Sequence, residues 1–129
     1  MPEPAKSQRY RAYREAWRRR DEQAESRREQ RRIEALHAAR RCGRILTERF
    51  GARRVYLFGS VLDPRRFHDA SDIDLAVEGL PADRTYWRAL TEIWPELPDG
   101  IRVDLVPLEQ AEPALADEIL SSGEILKAE

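Results

Sequence analysis

Apolar residues along the chain change period several times, and each change predicts an element. From about Gln8 to Phe50 there is no Pro and one Gly, Gly43, among Arg, Glu, Gln and Ala, which predicts one long helix or two in line. Its middle, RRRDEQAESRREQRR (Arg18 to Arg32), has no large apolar residue and therefore no face to bury. That stretch is expected to be solvated, with weak support from Glu15 to Arg19 at i,i+4 and from Glu25 to Arg28 and Glu29 to Arg32 at i,i+3. Tyr10, Tyr13 and Trp17 share one helical face before it; Ile33, Leu36, Ala39, Leu46 and Phe50 form a second stripe after it. The second stripe is expected to dock on the core. The first either meets a partner or symmetry mate or packs locally if the helix folds back.

Beyond Gly51 the period shortens to that of strands. Arg54 to Phe58 is β-prone and ends at Gly59; Ile73 to Val77 and Ile101 to Val106 give a second and a third strand, the last closed by Pro107. Between them, Pro81-Ala82-Asp83 opens a helix to about Trp94, with Tyr86, Leu90, Ile93, Trp94 and Leu97 spaced to face the sheet. Leu108 to Leu126 reads as a last helix with Leu115, Ile119 and Leu120 inward and an interruption near Gly123. The order helix, strand, strand, helix, strand, helix predicts an α+β fold, a small mixed sheet flanked by helices with a long helix at the N-terminus. Residues 1–32 are expected to form a basic helical arm and residues 33–129 one globular domain.

Totals narrow the class. A chain of 129 residues and 15.0 kDa has room for one modest core. With 41% hydrophobic and 36% charged residues, it is apolar enough to fold and heavily charged at the surface. No window approaches a membrane span, and the N-terminus lacks the apolar centre of a signal peptide, so a cytoplasmic location is expected. Cys42, the single cysteine, has no disulfide partner in the chain and is expected to be a half-buried packing residue. The net charge of −1 conceals an asymmetry: residues 1–50 hold 15 Lys and Arg against 8 Asp and Glu, a net of +7, and the remainder holds 8 against 16, a net of −8. A basic arm on an acidic body suits nucleic acid, an acidic protein or a second copy of the chain.

The chemistry concentrates in LFGSVLDPRRFHDASDIDLAV (Leu57 to Val77). Side chains two apart on a strand point the same way, so Asp72, Asp74 and Ala76 share one face while Ile73, Leu75 and Val77 take the core face. In the third strand Ile101, Val103 and Leu105 oppose Arg102, Asp104 and Val106. If the two strands are neighbours, Asp104 comes up beside Asp72 and Asp74. Three crowded carboxylates raise one another's pKa unless a cation neutralises them. All-oxygen ligands favour a hard ion, Mg²⁺ or Mn²⁺, over Zn²⁺, and carboxylates holding one or two such ions are the requirement of phosphoryl and nucleotidyl transfer. Gly59 permits a sharp turn and a close backbone approach, and Ser60, at a helix start, can offer its hydroxyl and backbone N–H to phosphate oxygens.

Gly59-Ser60, eleven intervening residues, Asp72-Ile73-Asp74 and the later Asp104 in RVDLV together resemble the signature of the polymerase-beta-type nucleotidyltransferase superfamily. Within it, VYLFGS, SDIDLAVEGL and VDLVPL over residues 33 to 126 are similar to the minimal nucleotidyltransferases (MNT), the antitoxins encoded beside HEPN-domain toxins. The signature is commonly written with ten residues between Ser and the first Asp, and a longer surface loop absorbs the eleventh at little cost. The resemblance implies metal ligands at Asp72, Asp74 and Asp104, phosphate contacts at Gly59 and Ser60, and a pair of Mg²⁺ ions. It also implies transfer of AMP from ATP to a hydroxyl, most often a tyrosine, of a cognate HEPN ribonuclease toxin. Asp104 is read either as the base that deprotonates the acceptor or as a ligand alone.

Other residues are weighed and set lower. His68, Arg65 and Arg66, in the loop before the motif, could touch phosphate, but solvated loop residues are the plainer reading. Arg32 and His37 resemble the spacing of HEPN ribonucleases, which are helical bundles without such a sheet. The arginines from Arg18 to Arg32 alternate with acids and lack interleaved aromatics, so RNA binding is not expected, and toxin contact or homodimerisation is left open for the arm.

Overall fold

The computed structural model describes residues 6–128. α1 (Lys6–Glu48) is a single unbroken helix that runs through the expected boundary at residues 32 and 33. It is followed by β1 (Arg54–Phe58), β2 (Ile73–Glu78), α2 (Arg84–Ile93), β3 (Val103–Pro107), α3 (Pro113–Ser122) and β4 (Glu124–Ala128). The four strands form one mixed sheet in the order β3-β2-β1-β4; β2 and β3 are parallel and the other pairs antiparallel. This is the α+β architecture expected, with one strand more.

Local chemistry sets the element ends. After α1, Gly51 adopts φ +72°, a backbone region that side chains disfavour, and this reversal lets the Ala52 N–H donate back to the Leu46 carbonyl at 3.1 Å. α2 opens on Asp83, whose side chain accepts the Thr85 N–H at 2.8 Å, one of the donors that a helix start leaves unpaired. Those same bonds hold the Asp83 carboxyl below its usual pKa.

The main core lies between one sheet face and the helices α1 and α2. Val55, Leu57, Ile73, Leu75, Val77 and Leu105 come from the strands and Ala89 and Ile93 from α2. α1 contributes Ala35, Ala38, Ala39, Cys42 and Leu46, all fully buried. Small side chains let that helix lie close to the sheet: at Gly43 an added Cβ would already sit 3.3 Å from the Leu126 Cβ. Cys42 is therefore fully rather than half buried, and burial pushes its thiol up to about 12, the mark of a packing residue. The opposite sheet face carries a smaller cluster of Tyr56, Ala76 and Ile119, flanked by Phe58, Leu108 and Leu115 and covered by α3.

Several expectations are corrected. The tail is not one helix: Leu108–Gln110 is a 3₁₀ turn, α3 ends at Ser122, and the residues after Gly123 form β4, pairing with β1 at Tyr56 and Ile125. Backbone bonds to β1 compensate a segment too short to bury a helical face. Trp94 and Leu120 face outward, 55% and 57% exposed. Trp94 starts a 3₁₀ turn that carries it off the inward face of α2, which Ala89 and Ile93 occupy. Ile33 is only partly covered, because the inward line of α1 at that level runs through Ala35 and Ala38. The arm is exposed as expected, and Tyr10, Tyr13 and Trp17 do not fold back. Tyr13 and Trp17 meet edge to face at 6.2 Å, with the Arg14 and Arg20 guanidinium groups over the Tyr10 and Trp17 rings.

The division of labour along α1 is open to measurement. Leu46→Ala is expected to cost about 2–5 kcal/mol of global stability in urea unfolding. Gln23→Gly, in the solvated arm, weakens the helix locally by about 1 kcal/mol and leaves the global midpoint in place.

Candidate active site

β1 ends at Phe58, and Gly59, at φ +84° and ψ −159°, turns the chain into a short 3₁₀ turn, Ser60–Leu62. A second constraint requires glycine there: an added Cβ would overlap the Asp74 Oδ2 and lie 3.1 Å from its Cγ. The Asp74 carboxylate thus packs against the glycine backbone. The Ser60 hydroxyl makes no hydrogen bond among the described residues. The far end of the turn is tied to α1, since the Arg32 Nη1 donates to the Val61 carbonyl at 2.9 Å while Glu29 accepts from the same guanidinium at 3.1 and 3.2 Å. The sequence offers Arg32 only as a resemblance, with His37, to a HEPN ribonuclease spacing and as one arginine of a charged helix; no local signal points to Val61, 29 residues on.

Register then aligns the acids. Phe58 stands opposite Asp74 in the antiparallel pair, and Asp74 stands opposite Asp104 in the parallel pair, so the three form one row across the sheet. Adjacent strands lie about 4.8 Å apart, which brings two carboxylates from different strands side by side. Asp72 precedes β2 on the same side, and its Oδ1 lies 3.7 Å from the Arg102 Nε. Both of those side chains are substantially exposed, so the pair is weak. The charges are coupled: burial, then Asp104, then Asp72 push the Asp74 pKa up to about 6. Burial and Asp104 also raise Tyr86, whose hydroxyl donates to the Leu105 carbonyl at 2.8 Å.

The structure therefore brings Gly59, Ser60, Asp74 and Asp104 together, with Asp72 at the margin. Among the described residues, no three acidic, His or Cys side chains are gathered into a closed cage for a metal; the carboxylates are neighbours on an open face. Their chemistry fits a hard divalent cation, because the donors are all oxygen and Asp74 carries a charge that burial and its neighbours disfavour. Asp72 and Arg102 also edge a depression of about 550 Å³ walled by Trp94, Leu97, Pro98 and Ile101. In the preceding loop, Phe67 is buried as an anchor, and His68 Nδ1 accepts the Ala70 N–H at 3.2 Å. Arg65 and Arg66 are exposed.

A glycine turn beside a row of strand carboxylates, on a small mixed sheet backed by helices, is the layout of a nucleotidyltransferase fold. The family model described as polymerase beta, nucleotidyltransferase, matches residues 41–129, and the chain belongs to that family. Two solved structures are similar to it. A chain in the crystal structure of the toxin-antitoxin MntA-HepT is 24% identical, with a TM-score of 0.52 over 73% of each chain. A chain in a crystal structure of the toxin-antitoxin with AMP-PNP is 26% identical, with a TM-score of 0.54 over 70% of this chain and 73% of that one. Comparison with curated proteins returns no match. No helix among the described residues is long and apolar enough to cross a membrane.

The geometry makes two predictions about the metal-free protein. Asp74 is raised from 3.8 to about 6, so between those values the folded state binds more protons than the unfolded one, and stability falls as pH rises through that window. Asp74→Asn should therefore melt at a higher temperature than the wild type at pH 8 and lose that advantage below pH 4, as followed by circular dichroism. Gly59→Ala should destabilise by about 1–3 kcal/mol, and a double-mutant cycle with Asp74→Ala should recover part of that loss, because the carboxylate it overlaps is gone.

Proposed function

We propose that this chain is an ATP-dependent protein adenylyltransferase, transferring AMP to a hydroxyl, a tyrosine by preference, of a HEPN-type ribonuclease toxin and so acting in the cytoplasm as its antitoxin. The observation that carries the reading is the Asp74 carboxylate packed against Gly59 and set opposite Asp104. Likeness to a chain of the MntA-HepT complex supports the partner, and likeness to a chain crystallised with AMP-PNP supports the nucleotide.

In this reading Gly59 allows the triphosphate to approach the backbone, and Ser60 binds a phosphate oxygen through its hydroxyl. Asp72, Asp74 and Asp104 would hold Mg²⁺, as one ion or two, which when bound neutralises the triphosphate and polarises the α-phosphorus. The acceptor oxygen forms a bond to the α-phosphorus as the bond from that phosphorus to the bridging oxygen of the β-phosphate breaks, and pyrophosphate leaves. Asp104, the more exposed of the facing pair, receives the acceptor proton or orients the hydroxyl as the proton passes to water. Residues 33–129 form the catalytic domain and residues 1–32 the basic arm.

A second reading, neutralisation by binding alone through the arm, is favoured by the arm's exposed arginines and aromatics. One experiment separates the two. With ATP labelled at the α-phosphate, Mg²⁺ and the product of the neighbouring reading frame, which this reading expects to be a HEPN-type protein, label should pass to that protein. Asp72→Ala and Asp74→Ala should each reduce transfer by about 10²-fold or more, several kcal/mol of lost transition-state stabilisation. Toxin neutralised equally by both variants, with no label transferred, would replace the enzyme by the binder.

A further inference from the structure

The arm and the far face of the body carry complementary surfaces that cannot meet within one molecule. Residues 6–20 hold seven Lys and Arg against one acid, Glu15, and on that stretch Tyr10, Tyr13 and Trp17 are 62%, 61% and 48% exposed. Residues 109–122, leading into and forming α3, hold four Asp and Glu and no Lys or Arg. On α3 and β4, Leu120 and Ile125 are 57% and 53% exposed, on the sheet side that also carries the exposed acids Asp117 and Glu118 of α3. A basic aromatic helix and an acidic apolar face match in both charge and hydrophobicity.

The chain's own arm does not reach that face. α1 packs on the sheet side opposite α3. The body begins to flank the arm only near Glu25, beside Pro64 and Arg65. Because α1 is unbroken, Tyr10 lies about 22 Å further along the axis at 1.5 Å per residue.

We infer that the occupant of the acidic face is the arm of a second copy, and that the chain associates with itself by exchanging arms. Each copy bears both surfaces, so the contact can be made twice in a closed two-fold pair. Trp17 and the arginines stacked on the rings would anchor it, as aromatic and Arg residues do at interface centres. The pairing is independent of the catalytic reading and assigns the arm to self-association.

Charge reversal tests it. At low salt the full-length protein should sediment as a dimer. Reversing the arm (Arg14→Glu with Arg18→Glu) or the acidic face (Asp117→Lys with Glu118→Lys) should each weaken association by at least about tenfold. Mixing the two variants, or combining all four substitutions in one chain, should restore the dimer, because both contacts again join opposite charges. Raising salt should dissociate the wild type. Circular dichroism checks that each variant is folded, and if the face variant is not, the salt titration and the arm variant still decide. A monomeric wild type, an association indifferent to salt, or an arm variant that stays dimeric would overturn the proposal. So would failure of the folded variants to restore pairing when mixed.

Discussion

Parallel pairing of β2 with β3 holds Asp74 opposite Asp104, and the site depends on that register. A slip of one residue would turn the acids into the core and the leucines and isoleucines outward, so the apolar core and the carboxylate row enforce the same alignment. Ile73, Leu75 and Val77 bury one face under α1 and α2, and the alternate positions are thereby fixed on the other. The stability of the core is what keeps two like charges side by side.

The carboxylate row is only half the site; the rest is a backbone turn fixed from two directions. Asp74 occupies the space a side chain at Gly59 would need. Arg32, reaching from α1, caps the Val61 carbonyl with a bond of the charge-assisted kind, stronger than a neutral one. The helix that carries the arm is therefore also a wall of the glycine turn, and the arm and the globular body meet in one continuous element.

Most of this frame was legible because it follows from short-range rules. The strand at Arg54 to Phe58, the alternation around Asp72 and Asp74 and the helix start at Pro81 to Asp83 come from period, turn residues and spacing, whereas Asp104 joins Asp74 on the condition, met in the structure, that β2 and β3 are neighbours. What was not legible depends on distant partners. Leu126 looks like the end of a helix until β1 offers it a strand to join. Ala35 and Ala38 carry little hydrophobic signal, yet they line the buried face of α1 because their small size permits a close approach to the sheet. Trp94 is apolar enough to suggest burial, and the 3₁₀ turn after α2 aims it elsewhere. Arg32 becomes distinctive only when the fold sets it beside Val61.

β4 bears on how the chain comes to be folded. It lies against β1 although Tyr56 and Ile125 are separated by most of the domain in sequence, and Leu126 packs into the cluster under α1. During synthesis the long helix and β1 leave the ribosome well before their last neighbour exists. One edge of β1 stays open to stray strand pairing throughout that interval, and only the emergence of residues 124–128 closes it.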